Sequence, residues 1–251
     1  MILIPIILLI LIYLYFKNNS NKLIKYFKKS SVIVFGKKGK GKDLLFQHVI
    51  KHRKKPYYSN IPYGYKYYHL DLKDIDLSPN TFNNFIKGNI QKVPNLLYDK
   101  MDYYISDAGV YLPSQYHSLL DKTYMSLPIY YALSRHLNLM NIHINTQALN
   151  RVWDKLREQA DYYIKVKSTF RIFNLFFTTI IIYDKYQTAK LELLPFKKKL
   201  GSSETNALVR QYEATNGEIK KFTICTRKKS IKYDTRYFKS LIYLYDKDQK
   251  S

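Results

Sequence analysis

A glycine-rich loop directly after a short apolar segment constrains the fold more than any other feature of this sequence. The apolar segment is Ser31–Phe35, and residues 36–43 read Gly-Lys-Lys-Gly-Lys-Gly-Lys-Asp. A glycine, four residues and then Gly-Lys is the spacing typical of phosphate-binding loops, in which backbone N–H groups curl around a phosphate. Apolar side chains at helical spacing follow in residues 44–50. The sequence therefore predicts a strand, a phosphate-binding loop and a helix in direct succession.

The loop residues have separate predicted roles in binding ATP. Lys42 is predicted to reach the β- and γ-phosphates, toward which the following helix directs its positive N-terminus. Position 43 usually carries Ser or Thr, whose hydroxyl binds Mg²⁺. Asp43 can also ligate Mg²⁺, although it brings negative charge close to the phosphates. A lysine-rich turn without a nucleotide is the alternative. The predicted nucleotide-binding residues are Gly36, Lys37, Lys38, Gly39, Lys40, Gly41, Lys42 and Asp43.

A second acidic residue, Asp107, is the other predicted ligand of Mg²⁺. It ends the segment 102–107, which reads as a buried strand. In phosphate-loop ATPases an Asp at the end of a neighbouring strand positions Mg²⁺. The alternative is an Asp that caps a turn. The next residue is Ala108, where hydrolytic members of the strand-inserted class usually have a Glu that polarises the attacking water. The sequence thus predicts a metal site without its usual base.

Two further polar residues complete the predicted catalytic set with Lys42 and Asp107. Gln147 follows the strand-like segment 142–145, where a side chain can hydrogen-bond the γ-phosphate or the attacking water. Arg135 lies near the end of a predicted helix and is a candidate to act on the nucleotide of a neighbouring subunit. A strand-ending turn and a solvated arginine are the alternatives at these two positions.

The charge balance points to anionic partners. The chain has 42 Lys and Arg residues against 19 Asp and Glu, a formal net charge of +23. Such an excess favours nucleic acid or an anionic membrane as partner. The 26 tyrosines and the abundance of Lys, Asn and Ile also fit an AT-rich coding sequence with a generally basic surface. Cys225 is the single cysteine, which excludes an intramolecular disulfide.

Residues 1–16 are almost wholly apolar and precede the first charge at Lys17. As a helix they span about 24 Å, short for a bilayer but extendable by flanking residues. The lysines that follow are not accompanied by acids, so the positive-inside rule places them in the cytoplasm. The sequence predicts a transmembrane anchor at 1–17 and a basic linker at 18–30. A buried core helix is the alternative.

The order of motifs along the chain resembles that of a known family. After the phosphate loop come Tyr58–Pro62, Tyr104–Asp107, Ser134–His136 and Asn145–Gln147, followed by Asp154 and Arg157. This order is similar to that of the assembly ATPases of filamentous phages, the zonula-occludens-toxin-like (Zot-like) group of P-loop NTPases, over residues 31–167.

The resemblance implies an oligomeric ATPase that uses ATP and Mg²⁺ to drive virion assembly and extrusion of single-stranded DNA. It places the protein at the host inner (plasma) membrane with the NTPase domain in the cytoplasm. Familiar members carry their membrane segment after the ATPase domain, whereas the apolar segment comes first in this chain.

Strand-like segments alternate with helical ones up to residue 168, which predicts an α/β fold with a mostly parallel sheet. With the resemblance, residues 31–168 are expected to form a P-loop NTPase core, followed by a β-rich C-terminal extension at 169–251. Helices are predicted at 119–137 and 150–159. Strands are predicted at 161–167, 188–194 and 220–226, and 170–183 is predicted to form two strands.

Overall fold

The fold is given by a computed structural model that describes residues 3–64, 66–69, 102–112, 114–116, 141–184 and 219–227. The helices are α1 (Leu3–Lys29), α2 (Lys42–Arg53), α3 (Ala108–Tyr111) and α4 (Asp154–Arg157), with 3₁₀ turns at Ser114–Tyr116 and Leu149–Arg151. The strands are β1 (Val32–Phe35), β2 (Tyr57–Ser59), β3 (Tyr67–His69), β4 (Asp102–Ile105), β5 (Ile142–Thr146), β6 (Tyr162–Ile172), β7 (Leu175–Tyr183) and β8 (Ile219–Arg227).

The described strands form one eight-stranded sheet in the order β3-β2-β4-β5-β1-β6-β7-β8. All pairs from β3 to β6 are parallel, and β7 and β8 add antiparallel strands at one edge. Strand β1 lies between β5 and β6, in the interior of the sheet. The loop that follows β1 therefore lies at the carboxyl edge of the parallel strands, where such sheets bind ligands. The predicted α/β fold with a mostly parallel sheet is confirmed.

Strand β1 shows why the local sequence forms a central strand. Its four residues, Val-Ile-Val-Phe, are all buried. Branched and aromatic side chains favour the extended backbone, and a parallel strand covered on both faces needs apolar residues at every position. The sequence of β1 thus suits the middle of the sheet and no exposed edge.

Two helices cover one face of the sheet. Leu45, Phe46 and Val49 of α2 are fully buried, as are Leu23 and Phe27 of α1. They form one core with side chains of four strands, Val32, Val34, Ile164, Val166, Ile180, Ile182 and Ile224. Helix α1 is therefore part of the same packed domain as the phosphate loop.

The N-terminal region differs from the prediction. Helix α1 runs without a break to residue 29, so the segment predicted as a linker is helical over most of its length. Leu23, Ile24 and Phe27 are buried because their spacing of three and four residues places them on one helical face, while Lys22 and Lys25 lie exposed on the other side. No helix in the described part of the chain is long and apolar enough to cross a membrane, so the predicted transmembrane helix is not supported.

Two other elements differ in extent. The helix predicted at 150–159 is limited to a 3₁₀ turn and the short α4, because Val152 is extended between them and is fully buried together with Trp153. Strand β6 continues to Ile172, past the expected boundary at residue 168, and pairs with β7 over that length. The predicted helix at 119–137, which includes Arg135, and the predicted strand at 188–194 lie outside the described residues. The division into core and extension stays a prediction.

A buried histidine connects three elements on the helical face. His48 of α2 is 2% exposed, and its Nε2 shares a 3.1 Å hydrogen bond with Ser20 Oγ of α1. Its Nδ1 shares a 2.8 Å hydrogen bond with Thr226 Oγ1 of β8. Burial lowers the pKa of His48 to about 3, and the positive charges of His52 and Lys51 act in the same direction. The imidazole is therefore neutral near pH 7.

We expect the free energy of unfolding to fall as the pH drops below 6.5, the ordinary pKa of histidine, toward the folded pKa of about 3. In this window the unfolded chain binds a proton at residue 48 that the folded chain excludes. Linkage gives a loss of about 2 kcal/mol from this residue between pH 7.5 and 5.

Urea unfolding at both pH values, for the natural protein and for His48→Gln, checks this expectation. The glutamine cannot titrate, so its pH dependence reports all other groups, and the difference between the two proteins isolates His48. Identical pH dependence would contradict the assignment.

Candidate nucleotide-binding site

The loop of residues 36–43 requires glycine at two points where it packs against β6. Gly36 (φ +154°) and Gly41 (φ +89°) have backbone angles that other residues rarely adopt. A Cβ atom at Gly36 would lie 2.7 Å from the Val166 carbonyl oxygen, and one at Gly41 would lie 2.5 Å from Thr169 Oγ1. The glycine spacing read from the sequence is therefore a packing requirement as well as a conformational one.

Lys42 begins α2 at the base of the loop. It is 6% exposed, and its Nζ donates to the Lys37 carbonyl oxygen at 3.4 Å. Burial lowers the pKa of Lys42, while the negative charges of Asp43 and Asp107 act in the opposite direction. The ammonium group thus lies beside the loop backbone and near two carboxylates, the position expected for a group that binds phosphate.

Asp43 is held by three donors that the sequence analysis did not identify. Its Oδ1 accepts hydrogen bonds from Tyr63 Oη, Ser106 Oγ and Asn145 Nδ2, each at 2.7 Å. Tyr63 follows β2, Ser106 follows β4 and Asn145 lies in β5, and all three side chains are buried. We call these three residues the Asp43 cradle. The cradle offsets the charge of a carboxylate at a position that usually carries a hydroxyl group.

Asp107 is connected to the same network through its backbone. It has left-handed backbone angles (φ 49°, ψ 44°) between β4 and α3, and its N–H donates to Asn145 Oδ1 at 2.8 Å. Burial raises the pKa of Asp107, and the nearby charge of Asp43 raises it further. Asn145 therefore contacts the carboxylate of one predicted metal ligand and the backbone of the other.

The two carboxylates fit a magnesium ion. Oδ1 of Asp43 is occupied by the cradle, whereas Oδ2 has no hydrogen bond from any residue in the described ranges. The repulsion between Asp43 and Asp107 would be relieved by a bound cation. Mg²⁺ typically takes one or two carboxylates and completes its shell with phosphate and water oxygens. The described residues contain no group of three or more His, Cys, Asp or Glu side chains suited to a metal.

Gln147, another predicted catalytic residue, contacts a different side chain. Gln147 is half-buried just after β5, and its Oε1 accepts a hydrogen bond from Arg151 Nη1 at 3.3 Å. Asn145, two residues earlier, is the side chain that contacts Asp43. Ala108 is fully buried, so the position where a Glu was expected does not face solvent. Arg135 lies outside the described residues.

We predict that Tyr63→Phe weakens the coupling between Mg²⁺ and ATP. The substitution keeps the ring but removes one donor to Asp43, so the carboxylate is less firmly held for the metal. The quantity of interest is the factor by which Mg²⁺ tightens ATP binding, that is, the ATP dissociation constant without metal divided by the one with Mg²⁺. Loss of one such hydrogen bond should lower this factor about 3- to 10-fold.

Titration of a fluorescent ATP analogue with and without Mg²⁺ measures this ratio. Tyr68→Phe is the matched control, since Tyr68 is 49% exposed on β3 and lies outside the cradle. An unchanged ratio in a folded Tyr63→Phe protein would show that the cradle does not serve the metal.

The comparisons with known proteins gave similarities of structure. No protein-family model matches the sequence, and no curated protein matches it. The chain is similar to the N-terminal domain of zonular occludens toxin from Neisseria meningitidis, with 13% identity, a TM-score of 0.42 and coverage of 84% of this chain and 98% of that one. It is also similar to the genome packaging NTPase B204 from Sulfolobus turreted icosahedral virus 2 in complex with ATP-gammaS, with 17% identity, a TM-score of 0.35 and coverage of 58% and 78%.

A third similarity is to the cytoplasmic domain of the type VII secretion ATPase EccC from Thermomonospora curvata, with 11% identity, a TM-score of 0.34 and coverage of 55% of this chain and 20% of that one.

Proposed function

We propose that this protein binds ATP with Mg²⁺ at the loop of residues 36–43 and acts as a P-loop ATPase. The observation that carries the proposal is the position of the loop. It leaves a central parallel strand at the carboxyl edge of the sheet, with Lys42 at its base and two carboxylates, Asp43 and Asp107, near that lysine. A site that binds nucleotide phosphates together with a cation requires this combination of a glycine-rich loop, a lysine and carboxylates.

The residues divide the work by their chemistry. Backbone N–H groups of the loop and the N-terminus of α2 face the phosphates, and Lys42 compensates their charge. Asp43 and Asp107 would hold Mg²⁺, which neutralises charge on the β- and γ-phosphates when it is bound. Asn145 keeps the two ligands in register through its contacts with Asp43 and with the Asp107 backbone.

A second candidate is a membrane scaffold that binds the nucleotide without hydrolysing it. Ala108 stands where a water-polarising Glu was expected and is fully buried, and Asp43 replaces the usual hydroxyl. These departures affect the hydrolytic half of the site and leave the phosphate-binding half intact. In this case ATP would regulate assembly and no phosphate would be released.

The biological role that we propose is assembly and extrusion of a filamentous phage, or DNA translocation, at the host inner membrane with the site in the cytoplasm. The motif order supports this role, and the net charge of +23 supports single-stranded DNA or virion components as partners. Homo-oligomerisation, with Arg135 acting on a neighbouring nucleotide, is part of the same proposal. A basic membrane protein that binds DNA independently of ATP is the remaining alternative.

Lys42→Ala is expected to weaken ATP binding about 10- to 100-fold, because a buried charge-assisted contact to phosphate contributes about 1.5–3 kcal/mol. Fluorescent-nucleotide titration of the full chain measures the effect. Lys51→Ala is the matched control, since Lys51 lies on the same helix with its side chain exposed. Equal affinities for all three proteins would disprove the site assignment.

Phosphate release separates the two candidate functions. For the ATPase we expect Mg²⁺-dependent release that single-stranded DNA increases, that Lys42→Ala abolishes and that Asp107→Asn lowers at least about 10-fold by removing a metal ligand. Nucleotide binding without release, with DNA and lipid vesicles both present, would establish the scaffold and exclude the ATPase.

A further inference from the structure

Apart from Tyr68 on β3, the exposed large apolar side chains of the described residues fall in two places. Residues 4–15 of α1 are apolar and exposed at every position, with Ile4 at 73% and Leu9 at 65%. In the turn between β6 and β7, Phe170 is 51%, Ile172 48% and Phe173 89% exposed. We call residues 4–15 together with 170–173 the apolar tip surface. Apolar surface of this extent is unusual on a protein that is surrounded by water on all sides.

Aromatic contacts join the two parts into one surface. Phe16 of α1 contacts Phe177 of β7, with ring centroids 5.3 Å apart. Phe177 in turn stacks on Phe170 at 5.2 Å, with the two rings nearly parallel at 15°. The start of α1 and the β6–β7 turn are therefore linked through three packed rings.

The direction of α1 places its apolar first half beyond the end of the β6–β7 hairpin that carries the turn. From Phe16 the helix runs along β7 and β8, where Asn19 Nδ2 donates to the Thr223 carbonyl oxygen at 2.9 Å. It then reaches Tyr26, whose ring contacts that of Tyr162 at the start of β6. Residues before Phe16 thus extend toward the end of the sheet where the β6–β7 turn lies.

The phosphate-binding loop lies at that end of the sheet as well. Thr169 of β6 donates from Oγ1 to the Lys40 carbonyl oxygen at 2.9 Å, and the same oxygen lies next to Gly41. Ile172 follows only three residues later. Any surface that contacts the tip of the hairpin is therefore also near, in space, the loop proposed to bind ATP.

The charges around the apolar tip surface have one sign. Residues 3–29 and 162–183 contain no Asp or Glu. Lys17 and Arg171 are exposed beside the apolar residues. Phospholipid headgroups of an anionic bilayer complement an apolar surface with a positive border.

The pattern of α1 favours lipid over a protein groove. A helix that binds in a groove is apolar on one face and polar on the other, whereas residues 4–15 are apolar around the whole circumference.

We propose that the apolar tip surface docks on an anionic phospholipid bilayer, with residues 4–15 among the acyl chains and the β6–β7 turn at the level of the headgroups. The turn is then a second lipid contact that goes beyond the proposed ATPase function, and it brings the phosphate-binding loop to the membrane-facing end of the sheet. Phe173 enters the interface, and Arg171 lies among the lipid phosphates.

The experiment uses the fluorescence of a single new tryptophan in the full chain. Phe173→Trp reports on the turn, and the natural Trp153 gives a constant background because it is fully buried. Tyr68→Trp is the matched control, an exposed aromatic position on β3 at the opposite edge of the sheet. The probes are vesicles of phosphatidylcholine with phosphatidylglycerol, vesicles of phosphatidylcholine alone, and a single-stranded oligonucleotide.

With the anionic vesicles we expect the emission of Phe173→Trp to move to shorter wavelength and to be quenched several-fold by brominated lipid chains. Tyr68→Trp should show neither effect, and Arg171→Gln added to Phe173→Trp should reduce the affinity for anionic but not for neutral vesicles. No response at residue 173 to vesicles would overturn the proposal, as would a response to the oligonucleotide alone. ATP binding by the same proteins is measured separately, so failure of the lipid contact and failure of the nucleotide site remain distinguishable.

Discussion

Three hydrogen bonds to one carboxylate oxygen of Asp43 are the interaction on which the rest of the site depends. Their donors come from the segment after β2, the end of β4 and the inside of β5. A single side chain in the first turn of α2 therefore joins the phosphate-binding loop to three neighbouring strands. Because the donors are neutral and buried, they offset the negative charge of Asp43 and also fix its orientation. The unusual acid at this position is thus accommodated by the surrounding residues.

At the opposite end of the sheet, ionic and polar contacts connect helices α1 and α2 to the strands. Arg53, the last residue of α2, forms a buried ion pair with Asp102 at the start of β4 and donates to the Phe27 carbonyl oxygen of α1 at 2.7 Å. Between the two ends, His48 connects α2 to α1 and β8. Helix α2 is therefore fixed along its length, and the proposed phosphate site at its N-terminus has a rigid support. Helix α1 contributes to this support through its second half, while its first half belongs to the apolar tip surface.

The parts of the fold that the sequence predicted are those specified by neighbouring residues. The strand, loop and helix around residues 31–53 follow from a short apolar run, glycine spacing and helical periodicity, and Asp107 was found because an acid ends a buried strand. Gln147 is predicted as a polar residue after β5, yet Asn145 makes the contacts with the two predicted metal ligands. Both fit the local pattern equally well, and only their hydrogen-bond partners in the fold distinguish them. The buried face of α1 is not predicted, because the five lysines of residues 17–29 favour a basic linker over the short apolar stripe around Leu23.

The sequence by itself determined the class of fold and the strand, glycine-rich loop and helix around residues 31–53, because glycine conformational freedom and apolar periodicity act within a few residues of one another. The tertiary structure decided which side chains meet. Tyr63, Ser106 and Asn145 are separated by 43 and 39 residues, and no local pattern marks them as partners of Asp43. They converge because parallel strands bring their carboxyl ends to one edge of the sheet. The joining of α1 to the β6–β7 turn has the same origin, since packing of distant apolar surfaces depends on the complete fold.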